Sequence, residues 1–239
     1  MRPAGTVRIN KYISDSGFCS RRKADIVIEE GRVTVDGMIA TEGMYVRNDQ
    51  EICVDGISLN DRTGTILIAV NKPKGIVCTT ESSEENNIVD FMKYPERIYP
   101  IGRLDKDSEG LILMTNNGDL VNGMMRSRYG HEKEYTVTVH KPVTRTFIEK
   151  MSSGVPILGT ITKKCHVERI GSRKFKIILT QGMNRQIRRM CEYLGFEVVA
   201  LKRIRILNIE LGDLKEGEYR NLSKEEKKIL FNLIKDAKE

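Results

Sequence analysis

Residues 101–118, IGRLDKDSEGLILMTNNG, place three carboxylates within five residues, just after an arginine. Asp105, Asp107 and Glu109 imitate the first half of a calcium-binding EF-hand loop, D-x-D-x-E-G. The second half does not follow, because its last ligand position is Asn116 rather than glutamate and the positions before it are large apolar residues. The sequence therefore predicts a use other than calcium binding for these carboxylates.

The apolar run at 111–114 predicts a buried strand that ends in the turn residues 115–118. Asp105 lies on the loop that feeds this strand, so we expect its carboxylate at the edge of the core, beside Arg103. Burial raises the pKa of a carboxyl group and a nearby guanidinium lowers it, so a second cation would keep the acid ionised but poorly hydrated. Such a carboxylate can act as a nucleophile or a base. A surface loop with ordinary ion pairs is the alternative.

A helix is predicted within residues 181–198, QGMNRQIRRMCEYLGFEV. Asn184 is the expected N-cap residue and Gly195 the expected stop. The apolar residues between them recur at the spacing of one helix face, which predicts a core-facing stripe of Ile187, Met190, Cys191 and Leu194.

The arginines of this helix divide between its two faces. Arg188 lies about 100° around the helix from Ile187, at the border of the apolar face. Its stem can stay in the core while its guanidinium pairs with a half-buried carboxylate such as Asp105. Arg185 and Arg189 point away from the core, where they suit phosphate groups. A merely solvated basic face is the alternative.

The chain carries a formal net charge of +7, and its basic residues are concentrated in two regions. Residues 163–205 contain twelve Lys and Arg against three acidic residues, and residues 1–35 contain seven against four. Two basic regions beside a nearly neutral body indicate a polyanionic partner. Nucleic acid is favoured over a membrane surface, because neither region has the aromatic-rich amphipathic pattern of a lipid-binding helix.

The motif Ser20-Arg21-Arg22-Lys23 is the most unusual part of the first basic region. Ser20 is a good N-cap, and the three cations then occupy the first turn of a predicted helix that Gly31 ends. The helix dipole is already positive there, so these cations are unfavourable for the helix alone. A phosphate reverses this, because free backbone N–H groups and cations converge on the anion. A solvated basic face is again the alternative.

The remaining patterns predict an α+β fold. After the turn-rich polar segment 53–65, an apolar run at 66–70 predicts a buried strand, which KPKG at 72–75 turns sharply. YTVTV from Tyr135 and FKIILT from Phe175 alternate as strands do. Strand-rich segments with scattered helices favour a mixed or antiparallel sheet over a doubly wound fold, and no glycine-rich nucleotide fingerprint is present.

Three further features bound the function. The five cysteines are scattered without a C-x-x-C pair, which predicts free thiols rather than a zinc site or disulfides. No apolar run approaches the roughly 20 residues of a membrane span, and no signal-like hydrophobic region opens the chain, so we expect a cytoplasmic protein. A capping box from Ser223 to Glu226 predicts a docking helix near the C-terminal end.

Residues 7–55 resemble the S4-like RNA-binding module in their SRR, Ala, Ile and Gly spacing, with Asp36 where that family often has Asn. The segments NKPKGIV, GRLDKDSEGLILMTNNGDL, KEYTVTV and QGMNRQIRRM resemble the RsuA-type pseudouridine synthases, and are most similar to the RluF-like branch that modifies large-subunit ribosomal RNA. The resemblance implies an S4-like domain at 1–60 and a linker at 61–66. A catalytic domain at 67–239 would follow, built on a mixed, largely antiparallel sheet with flanking helices.

The resemblance also implies roles for individual residues. Asp105 would be the single catalytic aspartate, Arg103 would help to hold the target base out of the RNA helix, and Tyr135 would stack on the flipped uracil and exchange protons. Arg188 would pair with Asp105, and Ile187 would pack against the base pocket. Lys72 and Pro73 would support the floor of the site, and Lys72, Arg185 and Arg189 would contact the substrate. The RNA-binding residues of the first module would be Arg8, Lys11, Ser20, Arg21, Arg22 and Lys23.

The implied reaction isomerises uridine to pseudouridine and needs no cofactor and no metal. The expected partner is structured RNA, with 23S ribosomal RNA as substrate, and the expected state is a monomer. Whether Asp105 attacks the anomeric carbon or removes the 2′ proton stays open. The other readings are an RNA-binding protein without catalysis, a metal-dependent nuclease built on Asp105, Asp107 and Glu109, and a synthase for small-subunit ribosomal RNA or transfer RNA.

Overall fold

The computed structural model describes residues 3–59, 64–125 and 130–236. The chain divides into two compact units, the first with residues 1–66, 94–98 and 116–118, and the second with residues 67–93, 99–115 and 119–239. Residues 61–63 of the predicted linker lie outside the described residues. The predicted domain bounds stay a prediction.

The described part of the first unit contains two short helices and six short strands. In chain order they are β1 (Val7–Arg8), α1 (Ile9–Asp15), α2 (Arg21–Glu29), β2 (Val33–Val35), β3 (Met38–Ile39), β4 (Tyr45–Val46), β5 (Ile52–Val54) and β6 (Ile57–Ser58). β1 pairs with β4, and the remaining strands form an antiparallel sheet in the order β3-β2-β5-β6. Apolar side chains of both helices and of β2, β4 and β5 form one core.

Helix α2 begins and ends where the sequence predicts. The Ser20 hydroxyl accepts a hydrogen bond from the Lys23 backbone N–H at 3.2 Å, which satisfies one of the free donors of the first turn. The helix ends at Glu29, and Gly31 then takes a positive φ of 70° that favours glycine. Asp36 and Gly37, both with positive φ, form the tight turn between β2 and β3.

The second unit is built on a large mixed sheet. Its described strands are β7 (Leu67–Lys72), β8 (Tyr99–Ile101), β9 (Glu109–Thr115), β10 (Lys133–Val139), β11 (Pro156–Ile157), β12 (Thr160–Ile161), β13 (His166–Gly171), β14 (Lys174–Leu179), β15 (Val198–Ile206), β16 (Ile209–Glu210) and β17 (Tyr219–Asn221). The sheet order is β13-β14-β10-β15-β9-β7-β17, with β16 on β15 and β8 on β9, while β11 and β12 form a separate hairpin. Among the described strand pairs only β9 and β15 run parallel, so the predicted mixed, largely antiparallel sheet is confirmed.

Strands β7 and β9 are neighbours in the interior of this sheet and are buried on both faces. Every residue of β7 is buried, and so is every residue of β9 after Glu109. Strands that are buried on both faces have sequences with continuous apolar runs rather than alternating apolar and polar residues. The strand predicted at 66–70 instead begins at Leu67 and continues through two polar residues, Asn71 and Lys72, which are also buried.

The described helices of the second unit are α3 (Ile88–Met92), α4 (Gly118–Met125), α5 (Arg145–Ser153), α6 (Gln186–Tyr193) and α7 (Lys224–Asp236). Apolar residues of α4 and α7 share a core with β7 and β9. The predicted capping box of α7 is confirmed, since the Glu226 N–H donates to the Ser223 hydroxyl at 3.1 Å and the Ser223 N–H donates to the Glu226 carboxylate at 2.7 Å. Within the described residues, no helix combines the length and the apolar character needed to cross a membrane.

Candidate active site

A cavity of about 380 Å³ opens in the second unit beside the loop between β8 and β9. Its walls come from this loop, the start of β10, the segment between β14 and α6, and the middle of β15. Among the described residues, the lining includes one carboxylate, that of Asp105, and five cationic side chains: Arg103, Lys133, Arg185, Arg188 and Arg203. Tyr135 and Ile187 also line it. The cavity therefore favours an anionic ligand while keeping one acid at its wall.

The loop that carries Asp105 is held by hydrogen bonds on both sides of that residue. The Leu104 N–H donates to the Cys78 sulfur at 3.4 Å, and the Gly75 N–H donates to the Lys106 carbonyl at 2.8 Å. The Ser108 N–H closes a turn on the Asp105 carbonyl at 3.0 Å. These bonds fix the backbone around Asp105 without using its carboxylate.

The three carboxylates of this loop have different partners. Asp107 is exposed and pairs with Arg185 at 3.2 Å, and Glu109 lies 4.0 Å from the ammonium of Lys74. Asp105 is half-buried, and across the described ranges its carboxylate accepts no hydrogen bond and forms no ion pair. A half-buried carboxylate without a protein partner is available for chemistry or for a ligand.

The predicted pair between Arg188 and Asp105 is wrong for this structure. The Arg188 guanidinium donates to the Asp107 carbonyl at 3.0 Å and to the Ser108 hydroxyl at 3.2 Å, and its Nε is buried without a partner. The border position of Arg188 on α6 does bring its guanidinium to this loop. The turn after Asp105 presents the carbonyl and hydroxyl that Arg188 bonds, so Arg188 holds the loop rather than the acid.

Helix α6 begins one residue later than predicted. Arg185, in the left-handed region at φ 49°, is the N-cap, and no side chain caps the helix. Asn184 instead lies before the helix and accepts two hydrogen bonds from Arg189. The Arg189 Nε donates to the Asn184 carbonyl at 3.1 Å, and Nη2 donates to its side-chain oxygen at 3.3 Å. Arg185 and Arg189 were predicted to face solvent or phosphate, but both have partners within the protein, the former in its ion pair with Asp107.

Tyr135 and Lys133 lie two residues apart on β10 and therefore on one face, towards the cavity. Tyr135 is buried, whereas Lys133 is partly buried and donates from its ammonium to the His131 carbonyl at 3.2 Å. Burial, with a smaller effect of the nearby Arg203 charge, lowers the pKa of Lys133 to about 8. Sequence reasoning did not single out Lys133, although its spacing from Tyr135 was the available signal.

Arg203 is a second cavity residue that the sequence reasoning missed. Its side chain is only 2% exposed, and its Nε donates to the Leu111 carbonyl at 2.6 Å. Nη1 donates to the Arg103 carbonyl at 3.3 Å, and the guanidinium carbon lies 6.0 Å from the centre of the Tyr135 ring. The available signal was an arginine in the inward register of a strand, two residues after the buried Leu201.

Lys72 and Pro73 support the site from behind and are not part of the cavity lining. Lys72 is fully buried, and its ammonium donates to the carbonyls of Pro73 at 2.7 Å and Ile76 at 2.9 Å. Burial lowers the pKa of this lysine. The turn that it stabilises is the one whose Gly75 bonds the Asp105 loop.

The RNA-binding residues predicted in the first unit differ in their contacts. The side chains of Arg21, Arg22 and Lys23 are exposed and make no ion pair with any described residue. Two other cations of the predicted set have protein partners. Arg8 lies over the ring of Tyr45 at 5.9 Å, and Lys11 pairs with Asp15 at 2.6 Å.

Comparisons with known proteins match both units. The family model described as RNA pseudouridylate synthase matches residues 66–193, and the S4 domain model matches residues 7–52. The chain is 53% identical to the dual-specificity RNA pseudouridine synthase RluF of Escherichia coli (strain K12), over 99% of this chain and 82% of that protein. It is 34% identical to the ribosomal large subunit pseudouridine synthase B of Bacillus subtilis (strain 168), over 97% of this chain and 98% of that protein.

A solved structure agrees with these matches. A crystal structure of a pseudouridylate synthase superposes with a TM-score of 0.68 at 29% identity, covering 94% of this chain and 99% of its own. The matched residues include the Asp105 loop, β10 and the arginines of α6. The chain therefore belongs to the RNA pseudouridylate synthase family, with an S4 domain ahead of its synthase domain.

Proposed function

We propose that this protein isomerises a uridine of 23S ribosomal RNA to pseudouridine, with Asp105 as the catalytic carboxylate. Two relatives support the substrate class, one named as a large-subunit synthase and the other as a dual-specificity RNA synthase. The observation that carries the proposal is the Asp105 carboxylate itself. It is half-buried, unpaired among the described residues, and faces a cavity whose described lining includes five cationic side chains.

The charges of the cavity suit each step of this isomerisation. Breaking the bond between uracil N1 and ribose C1′ leaves the electron pair on the uracil, which is then an anion. The five cations of the described lining stabilise that anion, because the site is partly dry and electrostatic interactions there are stronger than in water. The C5–C1′ bond then forms, C5 loses its proton and N1 gains one, so the product has the same atoms as the substrate.

Asp105 can start the reaction by either of two routes. Its ionised carboxylate attacks C1′ and leaves that carbon again when C5 joins it, or it removes the neighbouring 2′ proton and returns it as C5 joins C1′. Tyr135, buried at the cavity wall, would confine the detached uracil by stacking on it. Confinement makes the rejoining step effectively unimolecular, which can contribute about 7 kcal/mol or more to the barrier lowering.

The exposed cations at the start of α2 are proposed to bind phosphates of the same RNA. Flipping a uridine out of a stacked RNA costs a few kcal/mol, and phosphate contacts elsewhere can offset this. The reaction as written needs no metal or cofactor, and with a ribosomal RNA substrate we expect the protein to act in the cytoplasm. We expect it to act as a monomer.

The decisive experiment compares Asp105→Asn with Asp107→Asn, the same change two residues away. RNA labelled with tritium at uridine C5 releases tritium to water when pseudouridine forms, and RNA binding is measured in parallel. Asp105→Asn should bind RNA as the unchanged protein does but release no tritium. Asp107→Asn should keep its rate within about fivefold, because an exposed ion pair contributes only about 0.2–1 kcal/mol.

Two results would reject the proposal. Tritium release by Asp105→Asn at the normal rate would remove Asp105 from the reaction. Shortened RNA that appears only when divalent metal is present, and disappears with excess chelator, would instead identify a nuclease.

A further inference from the structure

The Arg203 guanidinium, on β15, bonds two backbone carbonyls on either side of Asp105, which lie 100 and 92 residues earlier in the chain. One of its bonds goes to the carbonyl of Arg103, two residues before Asp105, and the other goes to Leu111 inside β9. We propose that Arg203 is a positioning residue, which fixes the loop carrying Asp105 against the centre of the sheet. This inference rests on the proposed function of Asp105.

The shape of an arginine side chain is essential to this arrangement. A guanidinium presents several N–H donors in one rigid plane, so Nε and Nη1 can each bond a different carbonyl at once. The bond to Leu111 is short, at 2.6 Å, and anchors the side chain to a strand that is buried on both faces. The bond to the Arg103 carbonyl, at 3.3 Å, then restrains the loop relative to that strand. A lysine ammonium has no such planar fork.

The backbone of Arg203 is also held close to this loop. Arg203 pairs with Gly110 where β15 runs parallel to β9, one residue from the start of that strand. A Cβ atom on Gly110 would lie 2.3 Å from the Arg203 carbonyl oxygen, so only glycine permits this approach. Close pairing at this point brings the Arg203 side chain to the root of the Asp105 loop.

The burial of Arg203 makes a purely stabilising role a poor explanation. The side chain is 2% exposed, it forms no ion pair with a described residue, and its Nη2 is buried without a partner. A buried cation with an unused donor opposes folding, and an apolar side chain would avoid that cost. One of its two hydrogen bonds holds the loop that carries Asp105, and the other anchors the side chain to β9 beside that loop. The same charge faces the Tyr135 ring and adds to the burial that lowers the pKa of Lys133, so it contributes to the electrostatics of the cavity.

The test is a matched pair of substitutions, Arg203→Lys and Arg205→Lys. Both residues lie on β15, but Arg205 pairs with Glu134 and Glu132 and does not line the cavity. Arg203→Lys should lower kcat by about 100-fold with KM within about threefold, since small misplacements of a catalytic group cost about this much. Arg205→Lys should leave both constants near those of the unchanged protein.

Two further measurements separate positioning from general damage. Amide hydrogen exchange at Leu104 and Ser108, which report the loop on either side of Asp105, should become faster in Arg203→Lys and stay unchanged in Arg205→Lys. Added guanidinium ion should restore part of the kcat of Arg203→Ala, because it can occupy the space that the side chain leaves.

The inference is overturned if Arg203→Lys keeps a normal kcat, if only KM changes, or if loop exchange is the same in both lysine variants. Hydrogen exchange also separates this inference from the proposed function. If the unchanged protein makes no pseudouridine, the proposed function fails, while the exchange comparison still decides whether Arg203 holds the loop.

Discussion

Helices α2 and α6 both begin among basic residues, but the cations have different surroundings. At the start of α2, Arg21, Arg22 and Lys23 are exposed and make no ion pair with a described residue. At the start of α6, Arg185 and Arg188 bond the Asp105 loop, and Arg189 bonds Asn184 in the preceding turn. Two similar sequences, SRRK and NRQIRR, therefore have different structural uses.

The difference separates a surface for phosphates from a support for the active site. Unpaired cations at the positive end of a helix are unfavourable until an anion arrives, which indicates binding. Cations that already donate to carbonyl and hydroxyl groups of the protein have their positions fixed in advance, which indicates positioning. The two helix starts should therefore respond differently to substitution, the first in RNA affinity and the second in turnover or stability.

Among substitutions at the two helix starts, the largest effect is expected for Arg188→Met. Loss of the bonds to Asp107 and Ser108 frees one side of the loop that carries Asp105, so kcat should fall by about 100-fold while KM changes little. Single-turnover kinetics with labelled RNA measure the two constants separately. Arg145→Met is a suitable control, because Arg145 also opens a helix, is highly exposed and pairs only along that helix. A drop in affinity at unchanged kcat would contradict a positioning role for α6.

A smaller effect on a different constant is expected at α2. Replacing Arg21, Arg22 and Lys23 together by alanine should weaken RNA binding by about tenfold at low salt and leave kcat at saturating RNA unchanged. The plot of log affinity against log salt should also become shallower, by about 0.9 for each duplex phosphate contact that is lost. An unchanged salt slope would show that these cations do not bind phosphate.

The smallest effect concerns the backbone at the start of α6. Arg185 has a φ of 49°, a region that costs a non-glycine residue about 1 kcal/mol. Arg185→Gly should therefore raise the free energy of unfolding by about 0.5 kcal/mol, after the loss of an exposed ion pair. Lys93→Gly is the matched control, since Lys93 has a φ of 44° and no ion pair with a described residue. It should stabilise by about 1 kcal/mol in urea denaturation. Equal gains would mean that the Arg185 ion pair contributes nothing.

Local patterns in the sequence predicted the elements and much of the site. Ser20 as a cap, the strand after Glu109 and the core face of α6 all follow from residues close together in the chain. Asp105 and Tyr135 line one cavity, and only the resemblance to the synthase family had implied that they act together. The catalytic roles assigned to them stay proposals.

Partners across the fold could not be predicted in the same way. The helix period placed Arg188 at the right border, but its choice between a carboxylate and a backbone carbonyl depends on the path of a loop 80 residues earlier. Arg203 looked like one more cation in a basic region. Its burial depends on which face of β15 turns inward, and that is set by pairing with β9 and β10.

The contact between β9 and β15 joins segments that are 92 residues apart, as between Leu111 and Arg203. The described core of the first unit, by contrast, consists of residues between Ile9 and Leu59, with Val7 packed against it. Strand pairs between distant segments form late in folding, because the long intervening chain must lose conformational entropy before the contact can stabilise the fold. During synthesis, the S4 domain can therefore be complete while β15 has not yet been made. Such an unfinished polypeptide lacks the part of the cavity wall that β15 supplies. It should therefore bind RNA before it can catalyse the proposed cleavage of a glycosidic bond.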